Sequence, residues 1–94
     1  MKRLAITAPE WGLDYAGAKR VADGVAATLL REPTCLSWYD RERDYESPAG
    51  ATECHDGCPI PGYIDYAANR GAELLVEVDG GRFVFCYCST VEFL

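Results

Sequence analysis

The sequence predicts an α+β fold: a two-layer sandwich ordered βαβαββ, with two helices on one face of a small, largely antiparallel sheet. Three observations predict it. The run ELLVEV, then DGG, then RFVFCYC reads as two alternating strands joined by a tight turn. Residues 14–30 carry apolar side chains at spacings of three and four, the period of an amphipathic helix. Two shorter segments, residues 3–7 and 35–39, alternate with period two, as half-buried strands do.

In the first strand Leu4 and Ile6 share one side, and Arg3, Ala5 and Thr7 the other. Pro9 and Gly12 break that pattern, and Asp14 is placed to cap a helix, because its carboxylate can accept from the free N–H groups of the first turn. Val21, Ala22, Val25 and Leu29, with the smaller Ala18 and Ala26, form the apolar face of that helix; Lys19, Arg20 and Asp23 point elsewhere. Gly24 costs about 1 kcal/mol against alanine, which suggests that its missing side chain admits a close neighbour. Pro33 supplies the stop.

In the second strand Leu36 and Trp38 face one way, and Cys35, Ser37 and Tyr39 the other. Residues 40–60 hold Pro, Gly, Ser, Thr and many charges without a helical period, and so predict a long loop. Pro59 and Pro61 fix an extended approach to a second helix over residues 62–70, and Gly71 stands where a left-handed residue closes it. Barely two turns have little intrinsic stability, so Tyr63, Ile64, Tyr66 and Ala67 must anchor this helix by packing.

In the hairpin, a two-residue turn at Asp79-Gly80 or at Gly80-Gly81 gives the same faces: Leu74, Val76 and Val78 with Phe83, Phe85 and Tyr87, and Glu73, Leu75 and Glu77 with Arg82, Val84, Cys86 and Cys88. The first set is the predicted core. An Asp79-Gly80 turn would place Glu77 opposite Arg82 as a cross-strand ion pair. The second set leaves Leu75, Val84, Cys86 and Cys88 on an apolar face too extensive to stay bare. The expectation is that residues 40–60 fold over it, or that a partner subunit does.

At 94 residues the chain is long enough for one core and too short for two, so residues 1–94 form a single α+β domain with a long loop at about 40–60. The N-terminal MKRLAITAPEW lacks the apolar run of a secretion signal, and no apolar stretch approaches the roughly 20 residues that span a bilayer. Five cysteines cannot all pair within one chain, which fits a reducing compartment; the expected location is cytoplasmic. The net charge of −6 divides into +2 up to Arg31 and −8 from Glu32 onward. Such a field repels phosphate backbones, so nucleic acid is not an expected partner, and without a spanning stretch neither is a membrane.

Six pieces, LDYAGAKRVA, SWYDRER, Ser47-Pro48, Glu53-Cys54, YAANRG and LLVEVDGGRFVF, run in that order over most of the chain. In this the sequence resembles a small uncharacterised family of archaeal and bacterial domains of unknown function, the Archaeoglobus-type hypothetical proteins. The resemblance implies a compact α+β fold and carries over no catalytic residue.

The sharpest chemical constellation is Glu53-Cys54-His55-Asp56-Gly57-Cys58 together with Cys86-Tyr87-Cys88. Cysteines two apart on a strand face the same way, with Cα atoms about 6.5 to 7 Å apart, too far for an easy mutual disulfide. With the loop folded over them, Cys54, Cys58, Cys86 and Cys88 can complete a four-sulfur zinc site, with His55 as a substitute ligand. The blander reading is that these are packed, structural cysteines. Cys54 and His55 are adjacent and so poorly placed as nucleophile and base, and nothing fixes the separation of Asp40 and Glu53 as an acid and base pair.

Trp38, Tyr39, Asp40, Tyr45 and Tyr63 form a candidate binding surface, since Trp and Tyr combine apolar area with a hydrogen-bonding handle; the alternative is that they close the core. The alternating charges around them read as a solvated, self-compensating loop. The functional expectation is a noncatalytic interaction or small-ligand module for an unknown protein or small molecule. A zinc-stabilised domain and a small enzyme using loop carboxylates or a thiol are the alternatives. A C-terminal edge strand followed by Val91, Phe93 and Leu94 can pair with a second copy, but the tail can equally tuck onto its own sheet; a monomer is preferred to a homodimer.

Overall fold

The computed structural model of the protein describes residues 1–48 and 61–90. Strand β1 (Lys2–Ile6) leads through a 3-10 turn (Pro9–Trp11) into helix α1 (Tyr15–Leu29), then β2 (Pro33–Asp40) and the short β3 (Tyr45–Ser47). Helix α2 (Gly62–Asn69), β4 (Leu74–Val78) and β5 (Phe83–Ser89) complete the domain. The α+β class and the βαβαββ order hold, with β3 added where a loop was predicted. The sheet order is β1-β4-β5-β2-β3, with β1 parallel to β4 and the other pairs antiparallel. Among the described residues no helix is long and apolar enough to cross a membrane.

Asp14 caps α1 by accepting from the Gly17 N–H at 2.8 Å. The helix presses Ala18, Ala22 and Ala26, all fully buried, onto Leu74, Val76, Val78, Phe83, Phe85 and Tyr87. A stripe of alanines every four residues lets the helix sit close to large strand residues. Val21 and Leu29, read as part of this face, are instead 37% and 54% exposed. Gly24 admits no close neighbour: a Cβ built there meets nothing within 4 Å.

Helix α2 departs from the predicted single helical layer. It packs Tyr63 and Ala67 against Leu75, Val84 and Cys86, on the opposite face from α1. The connection rules of the sheet explain this. The crossover from β1 to β2 and the crossover from β2 back to β4 join parallel strands while running in opposite directions across the sheet. Right-handed crossovers in opposite directions carry their helices on opposite faces. The apolar second face is therefore covered by α2 at Leu75, Val84 and Cys86; of the expected cover from residues 40–60, residues 49–60 lie outside the described residues. Gly71, at φ 82°, closes α2 as expected: the Ala72 N–H donates to the Ala67 carbonyl at 3.0 Å and the Gly71 N–H to that of Ala68 at 3.3 Å, a Schellman motif.

The hairpin turn is Gly80-Gly81, with φ 67° and 87°, as a tight primed turn requires. Val78 then pairs with Phe83, and Glu77 with Val84. The Glu77–Arg82 pair of the alternative turn does not form. Arg82 instead reaches the Glu42 carboxylate at 2.6 and 3.2 Å, Asp79 Oδ2 at 3.4 Å and the Leu13 carbonyl at 3.1 Å. Asp79 also accepts from the Ala8 N–H at 2.6 Å, so this one corner ties the hairpin to the end of β1 and the start of α1.

Candidate functional site

A bulge in β2 decides which aromatic residues meet. Cys35 pairs with Tyr87 and Ser37 with Cys86, so the register slips by one residue at Leu36. Strict alternation places Leu36 with Trp38; the slip moves Leu36 to the α2 side with Tyr39, and leaves Cys35 with Trp38 on the α1 side. The five residues of the expected binding surface are divided accordingly. Tyr39 and Tyr63 stack on the α2 side with ring centroids 5.1 Å apart and planes at 6°. Trp38, Asp40 and Tyr45 belong to the α1 side of the sheet.

There Trp38 lies between Tyr15, at 4.7 Å between centroids, and Tyr45, at 5.4 Å and 30°. Tyr15 opens α1 and backs onto Phe85 at 5.8 Å, and burial raises the pKa of its phenol. The turn between β2 and β3 brings the Arg43 guanidinium over all three outer rings, 5.2 Å from the centroid of Tyr15 and 5.8 Å from those of Trp38 and Tyr45. These are cation–π distances.

Asp40 holds this turn from below. Its Oδ1 accepts from the backbone N–H groups of Glu42 and Arg43 at 3.0 and 3.3 Å, and its Oδ2 from Arg43 Nε at 2.6 Å. The Asp40 side chain is 3% exposed and that of Arg43 57%. An open groove of about 370 Å³ runs beside the pair, lined by Asp14, Tyr15, Ala16, Asp40, Glu42 and Arg43. Tyr15 and Arg43 were not among the sequence-predicted site residues. Tyr15 reads as an ordinary first-turn residue and Arg43 as one charge in a self-compensating loop, because the signal is a contact between segments.

The cysteines do not assemble a reactive site among the described residues. Cys86 is fully buried under α2, and burial pushes its thiol up to about 11. Cys88 is half-buried, two pairs further along β5. Cys35 is on the opposite face, where it donates to the Ser37 carbonyl at 3.4 Å, and burial raises its thiol as well. Both are therefore held as thiols, the less nucleophilic and less ligating form. Glu53, Cys54, His55 and Cys58 lie outside the described residues, as do Val91, Phe93 and Leu94 of the tail. Among the described residues no group of three or more His, Cys, Asp or Glu could hold a metal.

A polar cluster beneath α1 also lacks an activated group. Lys19 Nζ reaches both oxygens of Asp23 at 3.0 Å, and the buried Tyr87 hydroxyl donates to Asp23 Oδ1 at 2.6 Å. Burial first, then this hydrogen bond, raises the Tyr87 phenol, so the hydroxyl stays a donor. Of the Asp40 and Glu53 pair, Glu53 lies outside the described residues, and both Asp40 oxygens accept from Arg43 and the turn.

Among curated proteins none matches the chain. A crystal structure of a novel protein from Archeoglobus fulgidus is similar over 99% of both chains, with 25% sequence identity and a TM-score of 0.78. The family model for a domain of unknown function, DUF5619, matches residues 1–87. With the match spanning the sheet and both helices, the chain belongs to the DUF5619 family.

Proposed function

We propose that this domain is a noncatalytic binding module whose contact surface is the Tyr15, Trp38, Arg43 and Tyr45 corner of the sheet. The observation that carries the reading is the cage itself: three aromatic rings converge on one half-open guanidinium beside a groove. Tyr45 is 51% exposed, so stacked aromatic area stands at the surface where a partner can cover it.

A second cavity, of about 340 Å³, lies where Leu4, Leu29, Leu30 and Leu74 meet Lys2, Arg3 and Glu73. Among the described residues its lining holds no aromatic ring to orient a ligand. Fragment screening by two-dimensional NMR separates the two. Hits are expected to shift the resonances of Tyr15, Trp38, Arg43 and Tyr45, and to lose their effect in a folded Tyr45→Ala variant. Hits confined to the leucine cavity, or no hits at all, would overturn the reading.

A further inference from the structure

We infer that the Tyr15, Trp38 and Tyr45 cage recognises an arginine side chain presented by a partner protein, and that Arg43 keeps the site closed by standing in for it. The inference rests on the proposal that this corner is a binding surface. Its first support is the occupant. The chain's own guanidinium sits 5.2 to 5.8 Å from three ring centroids and donates from Nε to Asp40 at 2.6 Å, so these groups already hold a guanidinium within cation–π range and by one hydrogen bond.

The second support is the contrast between the two halves of the ion pair. Asp40 is almost wholly buried and is fixed by two backbone N–H groups, whereas the Arg43 side chain is more than half exposed. When the Arg43 side chain swings into water, the carboxylate keeps its backbone donors and the cage keeps its shape. What is left is a buried anion under aromatic walls, which needs a cation. The third support is the local charge: among the described residues that line the groove Asp14, Asp40 and Glu42 are acidic and Arg43 is basic, and with Glu42 paired to Arg82, Arg43 is the cation that Asp40 faces.

The openness of the site points to a side chain on a protein rather than a free metabolite. Small-molecule pockets typically enclose about 70 to 90% of their ligand, and a surface with Tyr45 half exposed does not. Exchange of one guanidinium for another conserves the stacking and the hydrogen bond to Asp40. Apparent affinity is then reduced by the fraction of time Arg43 vacates the cage.

The test uses the full chain with Trp11→Phe, which leaves Trp38 as the sole indole of the two tryptophans. Trp38 fluorescence is followed on titration with N-acetyl-arginine-methylamide and with its uncharged citrulline counterpart, with Arg43 present and after Arg43→Ala. Circular dichroism checks that each variant folds. The arginine probe is expected to bind the Arg43→Ala chain about tenfold or more tighter than the parent, and the citrulline probe to bind neither. Adding Tyr45→Ala, an exposed change that tests the cage without touching Asp40, is expected to abolish the gain. Equal binding by both probes, or no gain on removing Arg43, overturns the arginine assignment. If neutral aromatic fragments still map to Tyr15, Trp38 and Tyr45 in that case, the binding surface stands and only its ligand class falls. If nothing binds there, both fall.

Discussion

Tyr39 and Tyr63 stack within 6° of parallel, and just beneath them the Ser37 hydroxyl donates to the Tyr63 carbonyl at 2.7 Å. These two contacts clamp an eight-residue helix to the second face of the sheet. So short a helix depends on tertiary anchoring. Tyr63→Ala is therefore expected to cost about 3 kcal/mol in urea denaturation, the range for truncating a buried aromatic residue. Ser37→Ala, which removes this hydrogen bond, should cost about 1 kcal/mol. A loss below about 0.5 kcal/mol for Tyr63→Ala would show that the stack does not hold the helix.

Gly24 lies in the middle of α1 with open space where a Cβ would go. Gly24→Ala is expected to raise stability by up to about 1 kcal/mol, because it restricts the unfolded chain and meets no neighbour in the folded one. A lower melting temperature for the variant would contradict this.

The thiol of Cys86 couples folding to alkaline pH. Burial raises it from 9.0 to about 11, so the folded state favours the protonated form. The contribution is complete below the unfolded pKa and is lost as pH rises through the folded one. Stability should thus fall between pH 9 and about 11, by an amount on the order of 2 kcal/mol from this group. Tyr63, pushed up to about 12 by burial, acts in the same direction at higher pH. Urea midpoints measured across this window for the parent and for Cys86→Ala would test the assignment; identical pH slopes would refute it.

The corner around Arg82 separates the two possible hairpin turns experimentally. Arg82→Ala leaves the nearly buried Asp79 carboxylate without its cation and should cost about 2 kcal/mol. Glu42→Ala, at a half-exposed partner, should cost under about 1 kcal/mol. Glu77→Ala should change little, since Glu77 faces Val84 across the hairpin. A double-mutant cycle finding strong coupling between Glu77 and Arg82 would restore the Asp79-Gly80 turn.

Local rules read much of this domain from its sequence. The Asp14 cap, the left-handed Gly71, the hairpin at residues 74–89 and the split of Val76 and Phe85 from Leu75 and Cys86 all depend on neighbours or on period two. Those features come from backbone sterics and side-chain parity, which a short window contains. Three others were settled by the tertiary structure. The bulge at Leu36 moved one residue out of alternation and so separated Trp38 from Tyr39, because a ladder slip is defined only against the partner strand β5. The direction of the crossover into β4 carried α2 to the face opposite α1, because strand order in space is not strand order in sequence. The meeting of Tyr15, Trp38, Arg43 and Tyr45 needed three elements brought to one corner, where a solvated loop charge became the guanidinium of an aromatic cage. Periodicity assigns a residue to a side of its own element, while the packing of elements decides what it touches.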